Sequence, residues 1–139
     1  MKIVAILTFA LGLVLGGAAH ADDADAVSKA EAAAVKWLAL ADAADYSATW
    51  EQSAGLFKTS VSRASWEGAI RGARAPLGAV ESRKLASAQF TRSLPGVPDG
   101  EYVVLRFESR LAKSPAALET VTATKDKDGT WRVSGYYIK

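Results

Sequence analysis

The chain has no cysteine, a single histidine, a single methionine and four prolines in 139 residues. Without cysteine it makes no disulfide, holds no thiol nucleophile and offers no attachment point for a lipoprotein's lipid. The single histidine is His20, inside a segment expected to be cleaved. The rest of the chain then lacks imidazole, the side chain suited to acid–base work near neutral pH. The usual ligands of zinc, copper and haem iron are missing with it, so no metal, no cofactor and no catalytic residue is assigned. Carboxylates, lysine, tyrosine and serine are the groups left for chemistry. A charge of one sign is missing too. Without Lys2 the 17 Lys and Arg become 16, set against 15 Asp and Glu, a net charge of +1. That balance predicts no nucleic-acid partner and no attraction to a membrane surface. There is no glycine-rich phosphate loop, internal repeat or low-complexity linker.

What is present begins with an address. Met1-Lys2 is a short positive start, Ile3 to Leu15 is apolar apart from Thr8 and Gly12, and Ala19-His20-Ala21 fits the small-x-small cleavage pattern. Residues 1–21 therefore read as a cleaved secretory signal peptide. The apolar run is shorter than the ~20 residues of a spanning helix. Residues 22–139 are expected to form one domain, periplasmic or secreted, with no membrane contact after cleavage. A domain of this length buries about two-thirds of its unfolded surface.

From Ala24 to Ala43 the chain is alanine-rich, and Val27, Ala30, Ala34, Trp37, Leu38 and Ala41 share one helical face. Asp42 and Asp45 oppose the negative end of that helix's dipole, which predicts a break. Asp45 then caps a second helix over Tyr46–Phe57, with Tyr46, Trp50, Ala54 and Phe57 as its stripe. Ser62 caps a third, with Trp66, Ile70, Ala73 and Leu77. The stretch "RAPLGAVESRKL" (74–85) marks a change of pattern. Ala75-Pro76 stops the helix and Gly78 permits the turn into a strand. Val80–Thr91, Glu101–Leu111, Leu118–Lys125 and Trp131–Ile138 read as strands, punctuated by Pro95-Gly96, Asp99-Gly100 and Asp128-Gly129. In the second strand Val103, Leu105, Phe107 and Leu111 face one way, and Tyr102, Val104, Arg106, Glu108 and Arg110 the other. The expected class is α+β, three N-terminal helices packed on a curved four-stranded antiparallel sheet. A bent sheet wrapping the first helix makes a cone with a cavity at its open end.

Three functional readings follow from different residues. In the leading one the protein is a non-enzymatic binding domain that holds a small molecule or peptide between helices and sheet. Tyr46, Trp50 and Trp66 supply aromatic contact, and Arg74 and Arg83 fix a negative group. The competing roles are core packing for the aromatics and a helix stop with solvated cations for the arginines. In the second reading Tyr102, Arg106 and Arg132 form an interface on the outer sheet face, for a protein partner or a homodimer. Arg106, Glu108, Arg110, Glu119 and Arg132 could equally pair across strands on an exposed face. The third is a metal-independent lyase or isomerase using Asp45 with Tyr46 or Tyr102, where capping is the competing role of Asp42 and Asp45.

The segments "WLALADAADYSATWE" (37–51), "LFKTSVSRASWEGAIRGARAPLGAVESRKL" (56–85), "LPGVPDGEYVVLRFES" (94–109) and "DGTWRVSGYYI" (128–138) resemble the bacterial domain-of-unknown-function 4019 family. The resemblance covers about residues 26–139. It implies an exported or membrane-linked bacterial domain and brings no activity, cofactor or catalytic residue. The element order is also similar to the nuclear-transport-factor-2-like, cystatin-like cone, a likeness of fold alone. Enzymes of that superfamily often pair Asp with His or Tyr, and here no His is available.

Overall fold

Alanine sets how closely the first helix can approach the sheet. In a computed structural model, which describes residues 17–139, α1 (Gly17–Asp42) runs over the sheet and touches all four strands. Residues 1–16, most of the expected signal peptide, lie outside the described residues. The buried face of α1 is Ala26, Ala30, Ala34, Trp37, Leu38 and Ala41. These are the residues that helical spacing places together, with Val27 at the edge. Small side chains let the helix axis sit low, and Trp37 and Leu38 add the bulkier buried contacts.

α1 stops at Asp42, and the chain turns through Ala44 in the left-handed region (φ 59°). Asp45 then caps α2 (Tyr46–Glu51) by accepting from Ala48 N at 3.2 Å, as predicted. The expected second helix is in fact two, α2 and α3 (Gly55–Ser60). Tertiary bonds cause the break. Ser53 Oγ donates to Thr49 O at 2.6 Å and accepts from Trp37 Nε1 at 3.0 Å. Ala54 N donates to Val133 O of the last strand at 2.8 Å instead of continuing the helical ladder.

Ser62 caps α4 (Arg63–Arg74), whose Trp66 and Ile70 are buried. At the expected stop, Ala75-Pro76, α4 gives way to one tighter 3₁₀ turn, Ala75–Leu77, where Pro76 removes a donor. Gly78 follows at φ +79°, and a Cβ there would lie 3.0 Å from Ala112 Cβ, so both backbone and space call for glycine.

β1 (Val80–Thr91), β2 (Tyr102–Leu111), β3 (Ser114–Lys125) and β4 (Trp131–Ile138) form one antiparallel sheet in the order β1-β2-β3-β4. The class is α+β, with four α-helices among the described residues where three were expected. Register shifts at Val80/Ser82 and Leu85/Ser87 explain the untidy alternation of β1. On β2, Val103, Leu105, Phe107 and Leu111 are buried while Arg106, Glu108 and Arg110 are exposed, as alternation predicts. Tyr102 departs from that pattern. It is only 4% exposed, because its hydroxyl donates to Pro98 O in the β1–β2 connection.

The alanine face yields a direct test. Ala34 is fully buried, so Ala34→Leu is expected to lower stability by about 1–3 kcal/mol through overpacking. The urea midpoint would fall with an unchanged slope, and no change in midpoint would show that α1 does not sit close to the sheet.

Candidate functional site

Six elements converge on one group of charges, buried at Arg74 and Glu119 and open to solvent at Asp42. Asp42 is the last residue of α1 and Arg74 the last of α4. Arg83, Ser109, Glu119 and Tyr136 come from β1, β2, β3 and β4 in turn. Glu119 has no exposed surface. It accepts from Ser109 Oγ at 2.6 Å, from Arg83 Nε at 2.8 Å, from Arg74 Nη1 at 3.3 Å and from the Tyr136 hydroxyl. Asp42 accepts from Arg74 Nη2 at 2.6 Å and from both terminal nitrogens of Arg83, at 2.8 and 3.0 Å. The Arg83–Asp42 contact is bidentate, the geometry in which a guanidinium binds a carboxylate best. Two cations face two anions, so the group is neutral as a whole.

The arrangement settles the local electrostatics. Asp42 lies at the negative end of α1, an unfavourable place for a carboxylate. Burial also pushes its pKa up, but hydrogen bonds from Arg83 and Arg74 outweigh burial and hold it below 3.8. For Arg74 and Arg83 burial favours loss of charge, and the bonds to Asp42 together with Glu119 reverse the effect, so both stay firmly cationic. Burial first, then the adjacent Glu119 charge, keeps the Tyr136 hydroxyl protonated far above its usual range. Arg74 Nε is the one buried side-chain polar atom without a partner among the described residues.

"RAPLGAVESRKL" is thus a helix stop and strand start, but its arginines are not solvated. Arg74 is 4% exposed and the Arg83 side chain 16%. Only Lys84 behaves as a surface cation, 3.5 Å from Glu108. Glu119 likewise does not pair on the outer face. It occupies the inward register of β3 with Ala117, Val121 and Ala123. That register was the available signal: a carboxylate at a core position of an alternating strand needs a buried cation. Ser109 and Tyr136 carried no such signal.

The indole N–H groups of Trp37, Trp50 and Trp66 all find backbone or hydroxyl acceptors within the protein. Thr49, fully buried, anchors two of them. Its hydroxyl accepts from Trp66 Nε1 at 2.9 Å and its carbonyl from Trp37 Nε1 at 3.0 Å. Trp50 Nε1 donates to Val61 O at 2.9 Å, beneath the Arg63 guanidinium at 5.1 Å. Tyr46 is buried under Arg71. Trp37 lies 5.1 Å from Tyr136 and 6.0 Å from Trp66, and Phe57 meets Trp66 edge-on at 4.8 Å. The five expected ligand residues therefore fall into two sets. Arg74 and Arg83 meet across Asp42 and Glu119, whereas Tyr46, Trp50 and Trp66 brace the short helices. Asp45 is an exposed cap beside Tyr46. Of the expected interface, Tyr102 is buried, Arg132 is bound to Asp126 and Asp128 at 3.0 and 2.8 Å, and Arg106 alone is exposed and unpaired among the described residues.

Two larger hollows remain. One, of about 550 Å³, crosses β1–β3 between Lys84, Glu108, Arg110 and Leu118, with mixed charge on its walls. The other, of about 450 Å³, lies between helices and sheet. Ala33, Lys36, Trp37 and Leu40 of α1, Ala48 and Gln52 near α2, and Trp131, Arg132 and Val133 of β4 line it. The internal bonds of Trp37 hold one wall of this groove in place. Trp131 is 8% exposed, and its indole N–H is not among the buried groups left without a partner.

Among the described residues no cluster of three or more His, Cys, Asp or Glu could hold a metal, and no helix is long and apolar enough to cross a membrane. A family model described as "Protein of unknown function (DUF4019)" matches residues 33–136. That span includes every member of the charge cluster and the sheet as far as Tyr136; Tyr137, Ile138 and Lys139 lie beyond it. No curated protein and no solved structure matches the chain.

The cluster generates two expected outcomes. Glu119→Ala leaves two buried guanidinium groups facing an emptied position and should cost about 3–5 kcal/mol, read from urea unfolding. Because folding lowers the Asp42 pKa from 3.8, its contribution is complete well above that value and is lost as pH falls through the lowered one. The stability gap between wild type and Asp42→Asn should therefore be constant near neutrality and shrink below about pH 4. A gap independent of pH down to 3 would show that Asp42 is not held as a carboxylate by the two arginines.

Proposed function

We propose, for a chain that belongs to the DUF4019 family, a non-enzymatic binding role in which a small molecule is held in the groove between α1, α2 and β4. The observation that carries this reading is the contrast between interior and groove. The clustered charges and three of the four indole N–H groups are engaged inside the protein, while the groove, lined by Ala33, Leu40, Ala48 and Val133 beside Lys36 and Gln52, stays open. Its volume falls in the range of roughly 300–1,000 Å³ typical of small-molecule sites. Exported from its cell of origin, the domain would work in the periplasm or outside it. Bulged strands favour a sheet curved around α1, as in the cystatin-like cone, and the groove then lies where helices and sheet diverge. The lack of cysteine, and of histidine beyond His20, supports binding over catalysis.

Two measurements test this. The intact mass of protein recovered from the periplasm should correspond to a chain starting at Asp22, and a retained leader would refute export with cleavage. In a thermal-shift screen of small molecules, a hit should stabilise the wild type and lose its effect in Ala33→Trp, which fills the groove. At a hundredfold excess over Kd the gain is about 2.7 kcal/mol. Stabilisation that survives Ala33→Trp in a folded variant would place the ligand elsewhere.

A second reading has its own observation. Tyr137 is 59% exposed on β4, and Arg106 stands unpaired on β2. A homodimer through the outer sheet face would cover both. Sedimentation should then show a dimer that Tyr137→Asp dissociates, and a monomer at all concentrations removes this reading.

A further inference from the structure

We infer that Trp66, Trp37 and Tyr136 form a redox relay. A hole left on an indole by a diffusible one-electron oxidant passes to Tyr136 and rests there as a tyrosyl radical, with the phenol proton on Glu119. Beyond residue 21 the chain has no Cys, Met or His. The sulfur side chains that oxidants attack first are therefore missing from the fold, and its four Trp and four Tyr are the groups left to lose an electron. Three of these rings are in contact. The centroid of Trp37 lies 6.0 Å from that of Trp66 and 5.1 Å from that of Tyr136, inside the roughly 4.5–7 Å of packed aromatic pairs. Trp66 is 9% exposed and Trp37 only 2%, so Trp66 is the point of entry and Trp37 the bridge.

Proton acceptors set the direction of travel. An oxidised indole or phenol is a strong acid, and the hole settles where its proton has a base to go to. Trp37 Nε1 donates to Thr49 O and Ser53 Oγ, and Trp66 Nε1 to Thr49 Oγ1. A carbonyl and two hydroxyls do not keep a proton, so a hole on either indole stays a radical cation and remains strongly oxidising. The Tyr136 hydroxyl donates to the Glu119 carboxylate, which is a base. Before oxidation, burial and the Glu119 charge keep that phenol protonated, so its proton leaves only with the electron. The balance is simple. The oxidant takes one electron from the indole, the indole takes one from Tyr136, and the phenol proton crosses to Glu119. The indole is restored, and the products are a neutral tyrosyl radical and a carboxylic acid. Arg74 and Arg83 keep Asp42 as their anion while Glu119 holds the proton. Tyr102 has no such base, since its hydroxyl donates to Pro98 O.

The experiment is pulse radiolysis of the purified protein with azide radical, which takes one electron from indoles and becomes azide ion. The indole-radical absorption is expected to decay as the tyrosyl absorption grows, at a rate independent of protein concentration. Tyr136→Phe should lose that growth and leave the indole radical long-lived. Tyr137→Phe, at a position 59% exposed, should fold normally and keep the growth unchanged. Heavy water should slow it, because a proton moves with the electron. Growth that scales with protein concentration, persists in folded Tyr136→Phe or vanishes in Tyr137→Phe would overturn the relay. A rate equal in light and heavy water would overturn the transfer to Glu119. If Tyr136→Phe does not fold, the concentration dependence, Tyr137→Phe and the solvent comparison decide the matter.

Discussion

The contact on which the rest of the fold depends is the double bridge of Arg74 and Arg83 to Asp42 and Glu119. It joins the ends of the two longer helices to the inner face of the sheet, and Ser109 and Tyr136 complete the hydrogen bonding of Glu119. A buried ion pair is seldom worth more than an apolar replacement of the same shape. Its value here lies in position. Asp42 at the end of α1 and Arg74 at the end of α4 bind each other and each also binds a partner on the sheet, so the group fixes where two helices stop over it.

The second constraint is the set of buried donors around Thr49. Two indoles and one serine converge on this residue. The result is a rigid wall of short helices, with Trp37 shared between the core and the groove. Rigidity of this kind favours recognition by a preformed surface, since little ordering remains to oppose association. The interior carries groups familiar from catalytic sites, but each faces a protein partner. The groove carries fewer polar groups, among them the exposed Lys36.

Local patterns were legible wherever a single element sufficed. The apolar face of α1, the caps at Asp45 and Ser62, the stop at Ala75-Pro76, the glycine turn and the alternation of β2 all follow from residues within a few positions of one another. The errors share a cause. The division of the expected second helix depends on a hydrogen bond from Ala54 N–H to Val133 O, some eighty positions away in the chain. Tyr102 and Glu119 were assigned to the outer face by charge and polarity, whereas a loop carbonyl and two arginines draw them inside. For Glu119 its own register on β3 contained the correct answer, since its neighbours on that side are Ala117 and Val121.

By itself the sequence determined composition-level facts and periodic ones: an α+β chain, a near-balanced charge, the absence of thiol, and the faces that helices and strands must bury. These depend on spacing along the chain, which the residues state directly. Only the tertiary structure decided that Arg74 and Arg83 meet two carboxylates and that Lys36 and Trp131 share an open groove. A charge's partner is chosen by distance in space, and residues 32 to 45 positions from Arg74 became its neighbours only when the sheet and helices closed together.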